Sequence, residues 1–458
     1  MDGERDGLTR RALLQAGGAA TAAGLAVAAG GTAHASPALV DVGRVGEGGK
    51  VQFPPWTAPT ERPSGGPENP DAPDRRVGVA VVGLGRLAVE EIIPAFGQAK
   101  HAKLAGLVSG TPDKAAALAR QYGVRPESVY AYQDFDRIRD NPEIDIVYIV
   151  LPNSMHREYV VRAARAGKHV LCEKPMATSA AECREMIDAC RQAGRKLMIA
   201  YRCQYEPHHR MLIRMARERQ LGAVKLIEAT NTQNMGDPEQ WRLKRAMAGG
   251  GSMPDIGIYC LSLARYVTGE EPVEVFASIS STPNDARFRE VEETIEFLLR
   301  FPSGVLAKLG ASYGLHEARR ARVYAEQGWI DLDPAFAYEG LRMRVGRREG
   351  KAESIAELRL AEANQFALEL DHMAECVRGN REPYTPGEEG LQDHLLMEAV
   401  YQSAHTGAPV SLPRVDGRDV TRGPTARGRA GSIARGGCNR PVLSECPDVP
   451  GVPIGWTG

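Results

Sequence analysis

Three side chains in this sequence have the types and spacing that paired proton and hydride chemistry needs. They are Lys174, in the stretch CEKP, and Asp255 and Tyr259, in GGGSMPDIGIYCL. A phenol can take the hydroxyl proton when an alcohol loses hydride and return it when a carbonyl gains one, provided that a neighbouring cation favours its phenolate. Lys174 supplies such a cation, beside Glu173 at the end of an apolar stretch. The spacing of four predicts that Asp255 and Tyr259 share a helix face. The glycines at 249–251 are read as backbone passing close to a ligand.

Hydride needs an acceptor, and VGLGRLA provides a place for one. Gly83, Gly85 and Ala88 have G-x-G-x-x-A spacing between the apolar run VGVAVVG and the helical stretch AVEEIIPAFGQ. The first glycine permits a tight turn, the second lets backbone approach a pyrophosphate, and the small Ala88 lets helix pack on strand. Leu84 and Arg86 lie in the same loop, whose helix N-terminus would face the phosphates. Dinucleotide-binding folds that take NAD usually place an acidic residue at the end of the second strand. Here the stretch is GLVSGTPDK, with Ser109 at that position, Gly110 next to it and Lys114 placed for a 2′-phosphate. NADP is therefore the expected dinucleotide.

From Val77 onward strand and helix signals alternate through KLAGLVSG, PDKAAALARQYG, DIVYIVLP, HREYVVRAARAG, KHVLCEKP, AAECREMIDACRQAG and KLMIAYR. That alternation predicts a parallel sheet covered on both faces. Beyond about Cys203 strand-like stretches run close together: VKLIEATNTQ, PVEVFASIS, ETIEFLLRFPSG, VLAKLGASY and ARVYAEQGWIDL. Antiparallel pairing is expected for them. ANQFALELDHMAECVRG and GLQDHLLMEAVYQSAHTG read as helices capped by their final glycines. The expected fold is an α/β Rossmann domain over 77–200, followed by an α+β substrate and oligomerisation domain over 201–412 with an open, mostly antiparallel sheet.

The ends differ in kind. Arg10 and Arg11 precede a weakly apolar Ala/Gly-rich run that closes at AHAS, which reads as a twin-arginine signal over 1–35 removed after Ala35. Residues 36–76 are rich in Pro and Gly and form an arm, either a linker or a strap lying against a partner surface. Residues 413–458 are too rich in Arg, Gly and Pro to bury a core and read as a disordered tail. Export through the twin-arginine route, to the periplasm or beyond, is the expected localisation.

With 458 residues, 43% hydrophobic and 25% charged, and a formal net charge of -1, the chain lacks the basic excess that nucleic acid or an anionic membrane would favour. No membrane contact is expected of the mature form. Six of its eight cysteines are scattered through strands and helices without zinc-ligand spacing, so no metal is expected and they read as small buried hydrophobes. Cys438 and Cys446 lie in the tail, where pairing is open.

The motifs VGLGRLAVEEIIPAF, LVSGTPDKAAALA, YIVLPNSMH, CEKPMA, YRCQYEP, QWRLKRAMAGGGSMPDIGIY and STPNDARF, in this order from about Arg75 to Pro409, resemble the glucose-fructose oxidoreductase and inositol dehydrogenase family. The resemblance implies that Lys174 is the catalytic lysine, followed by a cis bond to Pro175, that Tyr259 is the acid/base of the glucose-fructose branch, and that Asp255 orients the substrate. It implies that Ser109 and Lys114 hold the 2′-phosphate. Leu151, Asn153 and His156 would border the nicotinamide ribose, with Glu173 beside them. Arg202, Trp241 and Arg242 would line the cleft as cofactor or sugar contacts. Dimers or tetramers formed through the sheet, and an arm covering a neighbour's cofactor, are likewise implied. Outside the cytoplasm NADP is not replenished, so the expected activity is a ping-pong cycle on retained cofactor. An aldose such as glucose gives its C1 hydride and leaves as a lactone, and a ketose such as fructose takes the hydride back. A different carbonyl acceptor is the alternative activity, and a non-catalytic sugar-binding role is a further alternative.

Overall fold

The structure, a computed structural model, describes residues 70–415 and two short antiparallel strand pairs, Arg44–Val45 with Val51–Gln52 and Arg418–Asp419 with Gly423–Pro424. The twin-arginine stretch, nearly all of the arm and tail, and Cys438 and Cys446 lie outside the described residues. The chain divides into two units, Met1–Pro63 and Ser64–Gly458, and everything below concerns the second.

The first sheet contains β1 (Val77–Val82), β2 (Ala102–Val108), β3 (Val129–Tyr130), β4 (Ile146–Ile149), β5 (His169–Glu173) and β6 (Leu197–Ala200). Their order is β3-β2-β1-β4-β5-β6 and every pair is parallel. This is the doubly wound Rossmann arrangement that the alternation predicts. Strands β1 and β4 are buried at every residue, as a sheet covered on both faces requires. The crossovers are α1 (Ala88–Ile92 continuing as Ile93–Ala95), α2 (Pro112–Tyr122), α3 (Asn153–Arg165) and α4 (Ala180–Gln192). Between β1 and β4 the winding direction reverses, and ligands of such sheets bind beyond the strand carboxyl ends at that point.

After α5 (Pro207–Arg217) the second sheet begins with β7 (Val224–Thr232). Next come α6 (Arg245–Ala248) and α7 (Met253–Gly257, of π type, continuing as Ile258–Thr268). The remaining strands are β8 (Glu274–Ser280), β9 (Thr294–Arg300), β10 (Leu306–Ser312), β11 (Arg319–Ala325), β12 (Gly328–Leu332), β13 (Met343–Glu349) and β14 (Ala352–Leu358). Two helices, α8 (Gln365–Arg378) and α9 (Gly387–Thr406), and the short β15 (Val410–Ser411) end the described fold. The sheet order is β14-β13-β12-β11-β7-β10-β9-β8-β15, antiparallel except for the β7–β10 pair. On β9 buried and exposed residues alternate strictly, so one face packs on the helices and the other is open.

The structure departs from the sequence reading in several places. ARVYAEQGWIDL is two strands, turning at Glu326 and Gln327. The β13–β14 hairpin was not anticipated, because its residues are mostly partly or fully exposed and carry almost no period-two apolar signal. Gly379 is not left-handed (φ -88°); Asn380, with φ 47°, takes that conformation after α8. Helices α8 and α9, assigned to the second domain, also pack on the first sheet. The Asp371 carboxylate on α8 accepts from the backbone N–H groups of Lys100 and His101 at the start of β2, and α9 packs on α4 and β6.

Candidate active site

Lys174 follows β5 at its carboxyl end, in a cis peptide bond with Pro175. Asp255 lies in the π turn that opens α7 and Tyr259 one turn further on. The two converge with Lys174. Lys174 Nζ donates to the Asp255 backbone carbonyl at 2.7 Å and to Asp255 Oδ1 at 3.1 Å, and it sits 4.7 Å from the centre of the Tyr259 ring. The ammonium therefore faces the aromatic ring while being held by the carboxylate.

Asp255 has two further partners. Arg242 Nε lies 3.2 Å from Oδ2, and the Tyr313 hydroxyl donates to Oδ2 at 2.8 Å. Burial alone would raise its carboxyl, but the charges of Lys174 and Arg242 and the hydrogen bonds from Tyr313 and Lys174 outweigh it and hold Asp255 well below the usual carboxylate range. For Lys174 burial also works against the charge, and Tyr259, Asp255 and Glu173 together keep it firmly protonated. The site thus contains a fixed cation, a fixed anion and a phenol in one cluster.

Arg202 is only 5% exposed and stacks between two rings, 4.9 Å from Tyr259 and 4.5 Å from Tyr338. Its guanidinium donates to the carbonyls of Phe336 and Ala337 and to Gln365 Oε1. These bonds fix it as a rigid wall behind Tyr259. Arg242 stacks on Trp241 at 4.5 Å and reaches Asp255 from the exposed side.

The glycine run at 249–251 calls for a correction. A Cβ on Gly250 would lie 2.1 Å from the Tyr401 hydroxyl, and one on Gly251 would lie 2.1 Å from the Glu292 carbonyl. The close approach that these glycines permit is to the protein itself. The Glu292 carboxylate accepts from the N–H groups of Gly251 and Met253 and from Tyr401, anchoring the turn that presents Asp255.

On the nucleotide side Gly83 has φ +93°, and a Cβ there would strike the Val150 carbonyl at 2.2 Å, so only glycine fits. Nothing lies within 4 Å of the position a Gly85 Cβ would take, so this backbone borders open space before α1, as a pyrophosphate cradle needs. Leu84 and Ala88 are buried, whereas Arg86 is exposed and 3.7 Å from Glu90. Ser109 is buried and its hydroxyl accepts from the Thr111 N–H at 3.1 Å. Gly110 and Lys114 are exposed at the start of α2. The residues present fit a dinucleotide.

Between the two halves, Asn153 Nδ2 donates to the Ala248 carbonyl at 2.8 Å, joining α3 to α6. His156 is fully buried, with Nε2 2.8 Å from the Leu151 carbonyl and Nδ1 3.0 Å from the Pro175 carbonyl. It ties the loop after β4 to the loop after β5. Glu173 accepts from the Tyr148 hydroxyl and from the Lys174 backbone N–H. The sequence reading missed Tyr313, Glu292, Tyr338 and Tyr148; Tyr148 opens the motif YIVLPNSMH, which was read for Leu151, Asn153 and His156 and not for the tyrosine.

The six described cysteines are free and buried. Among the described residues no group of three or more His, Cys, Asp and Glu could hold a metal ion, and no helix is long and apolar enough to cross a membrane.

Residues 77–201 match the family described as "Oxidoreductase family, NAD-binding Rossmann fold", and residues 209–331 match "GFO/IDH/MocA C-terminal domain". The chain is 32% identical over 346 residues to D-xylose 1-dehydrogenase (NADP(+)) of Haloarcula marismortui, covering 74% of this chain and 94% of that protein. It is 29% identical over 338 residues to 1,5-anhydro-D-fructose reductase of Ensifer adhaerens, covering 72% of this chain and 97% of that protein. Among solved structures, aldose-aldose oxidoreductase from Caulobacter crescentus, complexed with glycerol, is 47% identical with a TM-score of 0.71 over 74% of this chain and 100% of that one.

Proposed function

The chain belongs to the GFO/IDH/MocA oxidoreductase family, and from that premise we propose that it oxidises an aldose at C1 on a retained NADP and passes the hydride to the carbonyl of a second sugar. The convergence of Lys174, Asp255 and Tyr259 at the carboxyl end of β5 carries this reading. A nicotinamide dinucleotide supplies the hydride acceptor and, once reduced, the donor. Tyr259 takes the proton of the C1 hydroxyl as the C1 hydride departs, and the aldose leaves as a lactone. Lys174 and Arg202, both against the Tyr259 ring, stabilise negative charge as it develops there. Asp255, fixed and ionised, accepts a hydrogen bond from a sugar hydroxyl on its open side. In the second half Tyr259 returns its proton to the carbonyl oxygen of the acceptor, which leaves as an alcohol. The enzyme then stands as it began.

Ser109 in place of an acidic residue, with Lys114 exposed close by, supports NADP over NAD. The twin-arginine stretch supports export in the folded state with nucleotide already bound, which makes an internal cycle necessary. For the acceptor, the sequence reading favours a ketose such as fructose. The 47% identity to a protein named aldose-aldose oxidoreductase supports a second reading in which another aldose takes the hydride. Phe276 and Leu298, cross-strand partners on the open face of the second sheet, are 44% and 40% exposed, which supports a homo-oligomer built on that face.

The test is to purify the mature protein without added nucleotide, identify what denaturation releases, and supply glucose with fructose or with a second aldose. Stoichiometric NADP with equal yields of aldonate and polyol is the expected result, and the productive partner identifies the acceptor. Protein that is empty, and that works only with added NADP, would replace this reading with an ordinary dehydrogenase.

A further inference from the structure

Beneath the Lys174 loop, the Tyr148 hydroxyl oxygen lies 2.8 Å from Glu173 Oε1 and 2.8 Å from Glu369 Oε1. Tyr148 and Glu369 are wholly buried and Glu173 is 7% exposed. A phenol has one proton to donate, and an ionised carboxylate can only accept. Tyr148 therefore satisfies one of these contacts by donating, and the other needs a proton on a carboxyl group.

The surroundings decide which one. Glu173 adjoins the Lys174 ammonium, and its Oε2 accepts from the Lys174 backbone N–H at 3.2 Å, so both its oxygens meet donors. Glu369, projecting from α8, faces the Glu173 carboxylate, the Tyr148 phenol, the Cys203 thiol and, among the described residues, one cation, Arg202. Among the described residues Glu369 Oε2 has no hydrogen-bond partner. An orphaned oxygen is far costlier on a buried carboxylate than on the carbonyl of a neutral acid. Burial raises both carboxyls, but the Lys174 charge and the hydrogen bonds from Tyr148 and the Lys174 N–H pull Glu173 back, whereas burial followed by the charge of Glu173 pushes Glu369 well above the usual carboxylate range.

We propose that Glu369 carries a proton at neutral pH and is a positioning residue: it donates to Tyr148, Tyr148 donates to the Glu173 carboxylate, and Glu173 holds the backbone N–H of Lys174. The chain fixes the peptide that presents the catalytic ammonium. It also sets the charge around Tyr259. With Glu173 ionised, the connected cluster holds three cations, Lys174, Arg202 and Arg242, against two anions, Asp255 and Glu173, and two of the cations, Lys174 and Arg202, lie on the Tyr259 ring. Ionised Glu369 would cancel the excess of cations and with it part of the preference for phenolate.

The test uses the full protein with the nucleotide it retains. Infrared difference spectra of wild type against E369Q near neutral pH are expected to show a protonated-carboxyl carbonyl band in wild type that E369Q lacks and D393N keeps. A wild type without such a band, or a band that survives in E369Q, overturns the proposal. In the kinetic arm E369Q, a neutral amide that can still donate to Tyr148, is expected to keep most of kcat. Y148F and E369L are expected to lose about tenfold in kcat with little change in KM, and to shift the pH profile of kcat. E369Q falling as far as E369L overturns the positioning role, because the two would then differ from wild type only by disturbed packing. The kinetic arm rests on the proposed oxidoreductase reading. The infrared arm does not, so failure of sugar turnover and failure of this proposal are distinguishable.

Discussion

Helix α7 has a buried ion cluster at each end, and the two are built on opposite charge balances. At its N-terminal end Asp255 is surrounded by Lys174, Arg242 and the Tyr313 hydroxyl, with one side reaching the cleft. Toward its C-terminal end Arg265, wholly buried, pairs with three acidic groups, Glu271, Glu389 and Asp393. The carboxylates respond in opposite directions. Asp255 is held low by its cations despite burial, whereas burial pushes Asp393 up to about 6 against the attraction of Arg265, with Glu389 and Glu271 adding to the rise. A cation-rich cluster open to a ligand keeps charge available for chemistry. A sealed, anion-rich cluster ties α7 to the start of α9 and has no route to substrate.

The largest expected effect lies at the open end. Replacing Tyr259 by Phe removes the proton carrier while leaving the ring between Lys174 and Arg202. Steady-state turnover should fall by a factor on the order of 10² to 10⁴, and mass spectrometry of the denatured protein should still find its nucleotide. Full activity would take Tyr259 out of the chemistry. At the sealed end the measure is stability. Arg265→Met removes the buried cation that Glu271, Glu389 and Asp393 share and should lower the unfolding free energy in denaturant titration by about 3 to 5 kcal/mol. The folded fraction should keep its kcat, since Arg265 touches nothing in the cleft. A loss of kcat without a loss of stability would reverse the roles assigned to the two clusters.

What the sequence reveals about these regions follows from how far apart their contacts lie along the chain. The glycine loop is legible because Gly83, Gly85 and Ala88 belong to one contiguous turn whose geometry fixes their spacing. Lys174, Asp255 and Tyr259 are legible because their types suit a proton and hydride exchange and because short motifs surround them. Tyr313 reaches Asp255 from 58 residues away, and Tyr148 reaches Glu369 across 221, with no local pattern marking either pair. The run at 249–251 shows the opposite limit. Glycine announces a close approach without saying to what, and here the neighbours are Glu292 and Tyr401. The Arg265 cluster was equally silent, because Arg265 and Asp393 lie 128 residues apart in the chain. The Rossmann sheet was readable from strand-helix alternation and the antiparallel sheet from strands running close together, whereas the β13–β14 hairpin was hidden by its exposure.

The opposite displacements of Asp255 and Asp393 predict opposite dependences of stability on pH. An unfolded Asp titrates near 3.9. Between that value and about 6 the folded state keeps a proton on Asp393 that the unfolded chain has released, so the Asp393 contribution to stability falls as pH rises through this window. Asp255 is the reverse: its contribution is present above its unfolded value and is lost as pH falls below it. Asp393→Asn should flatten the decline between about pH 4 and 6, an effect of about 2 kcal/mol over the window, measured as unfolding free energy against pH. An unchanged slope would mean that Asp393 is ionised throughout and that Arg265 outweighs its burial.

The smallest expected effect separates holding a carboxylate from using it. Tyr313→Phe removes one hydrogen bond to Asp255 Oδ2 and leaves Lys174 and Arg242 in place, so the carboxylate stays ionised but gains freedom to turn. A hydrogen bond to a charged group contributes about 1.5 to 3 kcal/mol. With two ionic partners remaining, the loss should lie at the lower end, about tenfold in kcat/KM for the sugar. If Asp255 serves by orienting the substrate, the loss appears in both kcat and KM, because a misaligned sugar binds less well and reacts less often. If Asp255 serves only as counter-ion to Lys174, that pair survives the substitution and both constants stay near wild type. The split between the two constants therefore distinguishes a substrate contact from an internal strut, a distinction that the Arg265 cluster, with no face toward the cleft, never presents.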